Sequence, residues 1–440
     1  MPNRTGWHGG IVKTLVVMTS LGVLASSGAI AADVAIKANA TEILEASDNY
    51  FLANSPSGAT VKSLTAGTLD VLARTPTTNY LLDSYYSYYK YFGPGSADTS
   101  LIFGTPAHAR FSIDHTDQLT KYNAAASWTR ADVATTQLAE TGRTSASRGS
   151  ITTYAVDGGL IHDLSRIDSL TWTGRAAQVT YSNDPTALPY DDVISTLAWK
   201  HSLSPTTTLT NFVSFDWFLA DNAQQTQRLF WKFLTGVDSK LSPRLTFVGN
   251  VGWAFVNAYQ NGIAPSTNPF AFQPQVGTAN SILADIALTY RLLKTTDLSL
   301  IAAQAVVPLT TGQLQKSDSI ALILSHDINH LSNLSFAVRF VHIPAVSGSS
   351  AFTGQTGTSD FFSASVNYRY QLTREWRTNL SYTYRERDDE TGTAKSNTVL
   401  FTLSRDFTLL GNPNAINVAE RERARERAQQ SVGYVFPLLR

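Results

Sequence analysis

The feature that most constrains this chain is a period-two alternation of apolar and polar residues, repeated in segments of about 10 to 14 residues along most of its length. In the clearest segment Ile282, Ala284, Ile286, Leu288, Tyr290 and Leu292 share one face, while Ser281, Asp285, Thr289 and Arg291 share the other. Leu334, Phe336, Val338 and Phe340 alternate with Ser335, Ala337 and Arg339. Phe362, Ala364, Val366, Tyr368 and Tyr370 alternate with Ser363, Ser365, Asn367 and Arg369, and Leu380, Tyr382 and Tyr384 with Asn379, Ser381, Thr383 and Arg385. A strand points successive side chains to opposite faces, so each segment reads as a strand with one oily and one polar face.

Two all-β architectures compete for such a chain. Sandwich strands run about five or six residues, and the strands predicted here are about twice that length. Short turns such as Leu203-Ser204-Pro205-Thr206-Thr207-Thr208-Leu209 and Leu241-Ser242-Pro243-Arg244-Leu245 alternate with longer polar stretches at 182–192, 258–280, 344–360 and 387–396. That stringing predicts an all-β, transmembrane, antiparallel up-and-down β-barrel with short periplasmic turns and long outer loops. Strand centres near residues 46, 68, 85, 111, 126, 156, 175, 197, 213, 233, 250, 287, 302, 322, 338, 366, 383 and 401 make 18 strands. The count becomes 16 if 41–51 is a loop or plug segment and two strands merge near 61–91.

The ends are read separately. Residues 1–31 run from a polar stretch with Arg4 and Lys13 through an apolar segment to Ala25-Ser26-Ser27-Gly28-Ala29-Ile30-Ala31, the order of a secretory signal peptide cleaved after Ala31. Residues 32–410 are expected to form the barrel, and 411–440 a periplasmic tail. Within that tail Glu420, Arg421, Glu422, Arg423, Arg425, Glu426 and Arg427 have high helix propensity without an apolar stripe. This reads as a solvated charged helix, with docking to a periplasmic partner as the sharper alternative.

Composition removes most chemistries. Charged residues are 15% of the 440, with 34 basic against 34 acidic, so no broad basic surface for nucleic acid is expected. The absence of cysteine excludes disulfides, thiolate metal sites and cysteine nucleophiles. His326 and His330 have metal-like spacing but flank a predicted hairpin, and no H-E-x-x-H accompanies them. His108, Arg110, Ser112 and Asp114 share one strand face, which collects polar residues whether or not they react. No G-x-S-x-G, Walker loop or G-x-G-x-x-G occurs, so the chain is read as non-enzymatic, with no catalytic residues, metal or cofactor. Asp191-Asp192 and Asp388-Asp389-Glu390 are expected in outer loops, solvated or bridged by divalent cations to lipopolysaccharide.

Aromatics supply the membrane boundary. Trp172, Trp199, Tyr290, Tyr368, Tyr370 and Trp376 fall near short turns, and Trp217, Trp253, Phe255 and Tyr384 toward the long loops, with Tyr382 on the same oily phase. Two interfacial girdles follow from that placement. The polar phase carries Arg110, Asp114, Lys232, Asp285, Arg291, Arg339, Arg369 and Arg385, which are expected to line a pore, because charge in hydrocarbon is costly.

A cleaved signal, hairpins with short inner turns and long outer loops, and strands of alternating character resemble Gram-negative outer-membrane, porin-like β-barrels. Thr398-Val399-Leu400-Phe401-Thr402-Leu403-Ser404-Arg405-Asp406-Phe407 and Val366-Asn367-Tyr368-Arg369-Tyr370-Gln371-Leu372-Thr373 more loosely resemble the β-barrel porin 2 group and barrels associated with exopolysaccharide systems. The resemblance implies a cell outer-membrane channel for passive diffusion of small polar or anionic solutes. Its partners would be membrane lipid, lipopolysaccharide and the barrel-assembly machinery. Exopolysaccharide export or a secretion-associated role is the alternative, and an outer-membrane hydrolase the remotest. The chain departs from the usual pattern at its end, where about 34 residues follow Asp406 instead of a terminal aromatic strand.

Overall fold

A computed structural model describes residues 33–96, 106–133, 149–183, 188–221, 227–259, 275–308, 314–344 and 357–411. The expected signal peptide and, after Gly411, the expected helical tail lie outside these residues.

Eighteen strands follow one another along the chain: β1 (Asp33–Ser47), β2 (Thr60–Arg74), β3 (Thr78–Phe92), β4 (Ala107–Thr116), β5 (Thr120–Asp132), β6 (Ser150–Asp163), β7 (Asp168–Ser182), β8 (Tyr190–Ser204) and β9 (Thr207–Ala220) form the first half. The second half is β10 (Gln227–Ser242), β11 (Leu245–Tyr259), β12 (Gln275–Leu293), β13 (Thr296–Pro308), β14 (Leu314–Asn329), β15 (Ser332–Ile343), β16 (Ser359–Gln371), β17 (Trp376–Asp389) and β18 (Gly392–Leu410). Every strand pairs antiparallel with its neighbours in sequence, and β18 closes on β1, with Leu44 opposite Phe401 and Asn39 opposite Asp406. The sheet is therefore a closed up-and-down barrel without a free edge, which is how a sheet satisfies all its backbone groups away from water.

Burial is inverted relative to a water-soluble core. On β8, Leu197 is 48% exposed while its neighbour Thr196 is 9% exposed. Along the other strands Leu44, Val213, Phe233, Trp253, Ile286, Phe336, Val338, Val366 and Leu380 are likewise exposed, whereas Thr171, Ser214, Asn250 and Thr398 are buried. Side chains on the convex outer face splay apart and those on the concave inner face converge, so the oily phase points out and the polar phase points in. Buried hydroxyls pair across strands on this inner face, as Thr196 does with Ser214 at 2.8 Å.

One arc of the inner wall departs from the expected polar lumen. Ala198, Phe212, Phe230, Leu234, Ala254, Val256 and Leu283 on β8–β12 form a buried apolar cluster on the inward phase. Concave crowding lets these side chains cover one another without a second layer.

The connections correct three expectations. The first strand spans Asp33–Ser47 in full and pairs along its length with both neighbours, so the count is 18 and the 16-strand alternative falls. The expected loop at 387–396 is instead a hairpin with only residues 390–391 between β17 and β18, so Asp388 and Asp389 end a strand and only Glu390 sits in the turn. Asp191 and Asp192 likewise belong to β8, not to a loop. These segments are polar on both phases, and alternation carries no signal once a strand has risen past its oily belt.

Connections at the other rim are the short turns, two to four residues each, and both ends of the sheet, Asp33 and Leu410, lie there. At the rim of the longer connections, the link between β1 and β2 folds back on the barrel. Leu52 adopts φ 54°, a left-handed conformation that costs a side chain with Cβ about 1 kcal/mol or more, and it is fully buried.

Candidate functional site

The site is the inner wall, assembled by register. Arg339 on β15 lies opposite Ser363 on β16, which lies opposite Arg385 on β17, so two arginines share one level around the barrel. Arg369 on β16 pairs in register with Asn333 and Asn379, and Arg377 and Arg387 continue the inward phase of β17. Against these five arginines β15–β18 set Asp389 and Asp406 on the inward phase. Arg387 Nε lies 3.1 Å from Asp389 and Arg377 Nη2 lies 2.7 Å from Asp406. Among the described residues Arg369 and Arg385 have no acidic partner.

Nine strands away, half the circumference, stand β6–β9. Their inward phase carries Asp157, Asp163, Asp192 and Asp216 against Arg175 and Lys200. Asp157 is bound by Arg110 at 3.1 Å and by Arg175 at 3.9 Å, and Asp216 by Lys232 at 3.7 Å. Lys232 also lies 4.4 Å from the centroid of the Phe230 ring, so its charge is shielded on two sides. The two walls thus differ in balance: β15–β18 carry five arginines against two acids, whereas the four acids of β6–β9 are matched by Arg110, Arg175, Lys200 and Lys232.

The eight residues expected to line a pore all fall on the inward phase, but they are not one cluster. Arg339, Arg369 and Arg385 stand together on β15–β17. Asp285 on β12 accepts an N–H from Asn250 at 2.7 Å, and Arg291 lies 3.3 Å from Asp297 beside a short turn. Arg110 and Lys232 pair with the acids of β6 and β9, and Asp114 pairs in register with Asn79 and Asn123. Inward Glu45, Asp83, Asp157, Asp192 and Asp216 were missed by the sequence reading. Strand phase alone could have placed them, because each occupies the same phase as its buried neighbours Ser47, Ser87, Ala155, Thr196 and Ser214.

The interfacial aromatics Trp172, Trp199, Trp217, Trp253, Tyr290, Tyr368, Tyr370, Tyr382 and Tyr384 all occupy the outward phase. Trp199 and His201 converge on Asp168 at the short-turn rim, with contacts of 3.1 and 2.8 Å to the same carboxylate oxygen. His108 turns to Asp83, 3.0 Å away, and stacks on Tyr85. It does not join Ser112, whose hydroxyl lacks a hydrogen-bond partner among the described residues, so the four polar residues of β4 form no nucleophile–base pair there. His326 bonds Thr296 at 2.8 Å, and no group of three His, Asp or Glu suited to a metal occurs among the described residues.

At the mouth with the longer connections, Lys62 Nζ lies 3.6 Å from Glu45 and 3.1 Å from the Tyr50 hydroxyl, which it reaches as donor. The Tyr50, Tyr89 and Tyr91 rings surround it with centroids 5.7, 5.7 and 5.9 Å away. Burial raises the Tyr50 phenol above its ordinary pKa, so it remains a neutral acceptor for the ammonium.

No protein-family model matches the chain, and no curated protein matches it. Among solved structures it is similar to the Pseudomonas aeruginosa protein OccK2 (OpdF), at 11% identity and a TM-score of 0.49, over 86% of this chain and 99% of that one. Acinetobacter baumannii OccAB3 aligns at 11% identity and 0.46, over 86% and 100%. The ferric-catecholate import receptor Fiu of E. coli aligns at 10% identity and 0.46, over 85% and 82%. The barrel itself is established by this chain's own strand pairing and side-chain phase.

Proposed function

We propose that this chain is an outer-membrane channel through which small polar or anionic solutes diffuse passively. The observation that carries the reading is the inversion of burial, with Leu197 and Val213 facing out beside Thr196 and Ser214 facing in. An outer face this oily would be insoluble in water and is matched to lipid. Fourteen of the eighteen strands have 13 to 16 residues and, tilted by about 40°, stand roughly 33 to 40 Å tall, enough to cross a hydrocarbon core of about 30 Å.

Eighteen strands enclose a lumen wide enough for water, and its charged residues are comfortable only in an aqueous interior. The arginine excess on β15–β18, opposite acids that are matched by bases around β6–β9, would set a field across the lumen that holds an anion against the arginines. Selection would rest on width and lining charge, with no covalent step and no cofactor. The outward aromatics would sit at the lipid interfaces and the outer rim against lipopolysaccharide, with the barrel-assembly machinery acting during biogenesis. The test is reversal potential in a planar bilayer under a potassium chloride gradient. The purified chain is expected to carry current with a preference for chloride, and a folded chain that passes no current sinks the reading.

A further inference from the structure

The shortest connection at the longer-connection rim is the two-residue turn between β17 and β18, and the connection 48–59 between β1 and β2 lies beside it. Asn49 anchors the start of that connection, donating to Lys395 O at 2.9 Å and exchanging side-chain contacts with Ala53. Leu52 follows in its left-handed conformation and packs with Val341 and Ile343 of β15, Phe361 of β16 and Ala394 of β18, all inward residues. Asn54 then donates to Thr391 O at 2.7 Å and accepts from Arg387 Nη2 at 3.0 Å. On the other side Tyr50 reaches Lys62 of β2 and lies 3.5 Å, hydroxyl to hydroxyl, from Tyr91 of β3. The end of the connection is clamped as well, since Gly95 N donates to Ala59 O at 3.1 Å and Gly58, at φ 129°, sits against Pro94.

The same three-residue stretch therefore touches inward side chains of β3 and of β15, six strand intervals apart around the wall. For 18 strands spaced about 4.8 Å and tilted about 40°, that arc subtends a chord of roughly 30 Å. Inward side chains from both walls shorten the gap to about the span of a turn bearing a tyrosine on one side and a leucine on the other. A connection held merely by solvent would not keep a leucine at φ 54° and fully buried, so the strain is balanced by the seat on β15–β18. We infer that residues 48–59 form a fixed wedge across the mouth, with Tyr50 and Leu52 as its two feet, and that this wedge sets the largest solute the barrel admits.

The inference rests on the channel reading for its consequence, but the two can be tested apart. The chain has no cysteine, so Ser363→Cys, placed between Arg339 and Arg385 below the wedge, supplies a single thiol on the inner wall. In intact cells a polyethylene glycol maleimide added from outside would label it. Leu52→Asp combined with Asn54→Ala is expected to free the wedge and speed labelling at least about twofold, with unit conductance rising in parallel. The heat-modifiable gel band identifies the folded barrel in each chain, and Asn54→Ala alone serves if the pair fails to fold. Equal labelling of the folded variant and its parent overturns the wedge. Faster labelling without current in either chain keeps the wedge and sinks the channel reading. Equal labelling with current in both overturns the wedge alone.

Discussion

Asn39 on β1 donates its side-chain N–H to the Asp406 carboxylate on β18 at 2.8 Å, directly across the seam where the last strand meets the first. Arg377 on β17 holds the same carboxylate through contacts of 2.8 and 2.7 Å, and Lys37 approaches to 3.9 Å. A closed barrel has one such seam joining its two chain ends, so the contact ties β17, β18 and β1 together where no hairpin does. Removing it with Asp406→Ala takes away the acceptor shared by Asn39 and Arg377 and is expected to destabilise the barrel by about 2 kcal/mol. Denaturant midpoints of the two chains in the same micelle check this, and coincident midpoints would contradict it.

The oily and polar phases make opposite demands on the same substitution. Val338, on the outward phase of β15, tolerates no charge, and Val338→Arg is expected to cost about 2 to 4 kcal/mol near the bilayer centre. Ser365→Arg, on the inward phase of the next strand, is expected to fold within about 1 kcal/mol of the parent, because its guanidinium enters the lumen. Folding yield into lipid vesicles separates the two, and equal losses would mean that the phases are not lipid and lumen.

Arg369 and Arg385 have no acidic partner among the described residues, so their charge is free to act on solutes. Replacing both by Glu would reverse the sign of the arginine wall while leaving Asp157 and Asp216 with their own bases. The expected outcome is a shift of reversal potential toward cation preference under a salt gradient. A chain that conducts with unchanged ion preference would remove these two residues from selectivity.

Thr196 and Ser214 share a buried hydrogen bond of 2.8 Å on the inner wall. Thr196→Val alone leaves the Ser214 hydroxyl buried without its partner and is expected to cost about 1 to 2 kcal/mol. Adding Ser214→Ala removes the orphan, so the double variant should be no less stable than the first single one. Stability measured on all four chains of the cycle checks the pair, and strictly additive losses would show that the hydroxyls act independently.

Most of the barrel was legible because each strand borders two solvents of opposite polarity over its middle. Val366 and Asn367 announce their faces regardless of what the rest of the chain does, and the same logic places Arg339, Arg369 and Arg385 inward. The signal fades at the rim. Glu386, Asp388, Lys395 and Asn397 occupy the outward phase above the oily belt, so the end of β17 and the start of β18 look like one polar loop. Asp191 and Asp192 disappear from view for the same reason. Leu52 could not be read as a foot, since Tyr50-Phe51-Leu52 looks like the apolar end of the first strand and its seat on Val341, Ile343 and Phe361 lies about 300 residues further along the chain.

The alternation by itself determined that this chain forms long strands with an oily and a polar face, because side-chain direction in a strand is local and depends only on position parity. Closure, the pairing of β1 with β18, the gathering of arginines on β15–β18 and the seating of the 48–59 connection were decided only in the tertiary structure. Each is a contact between residues distant in sequence, and its energy depends on a distance that no local pattern encodes.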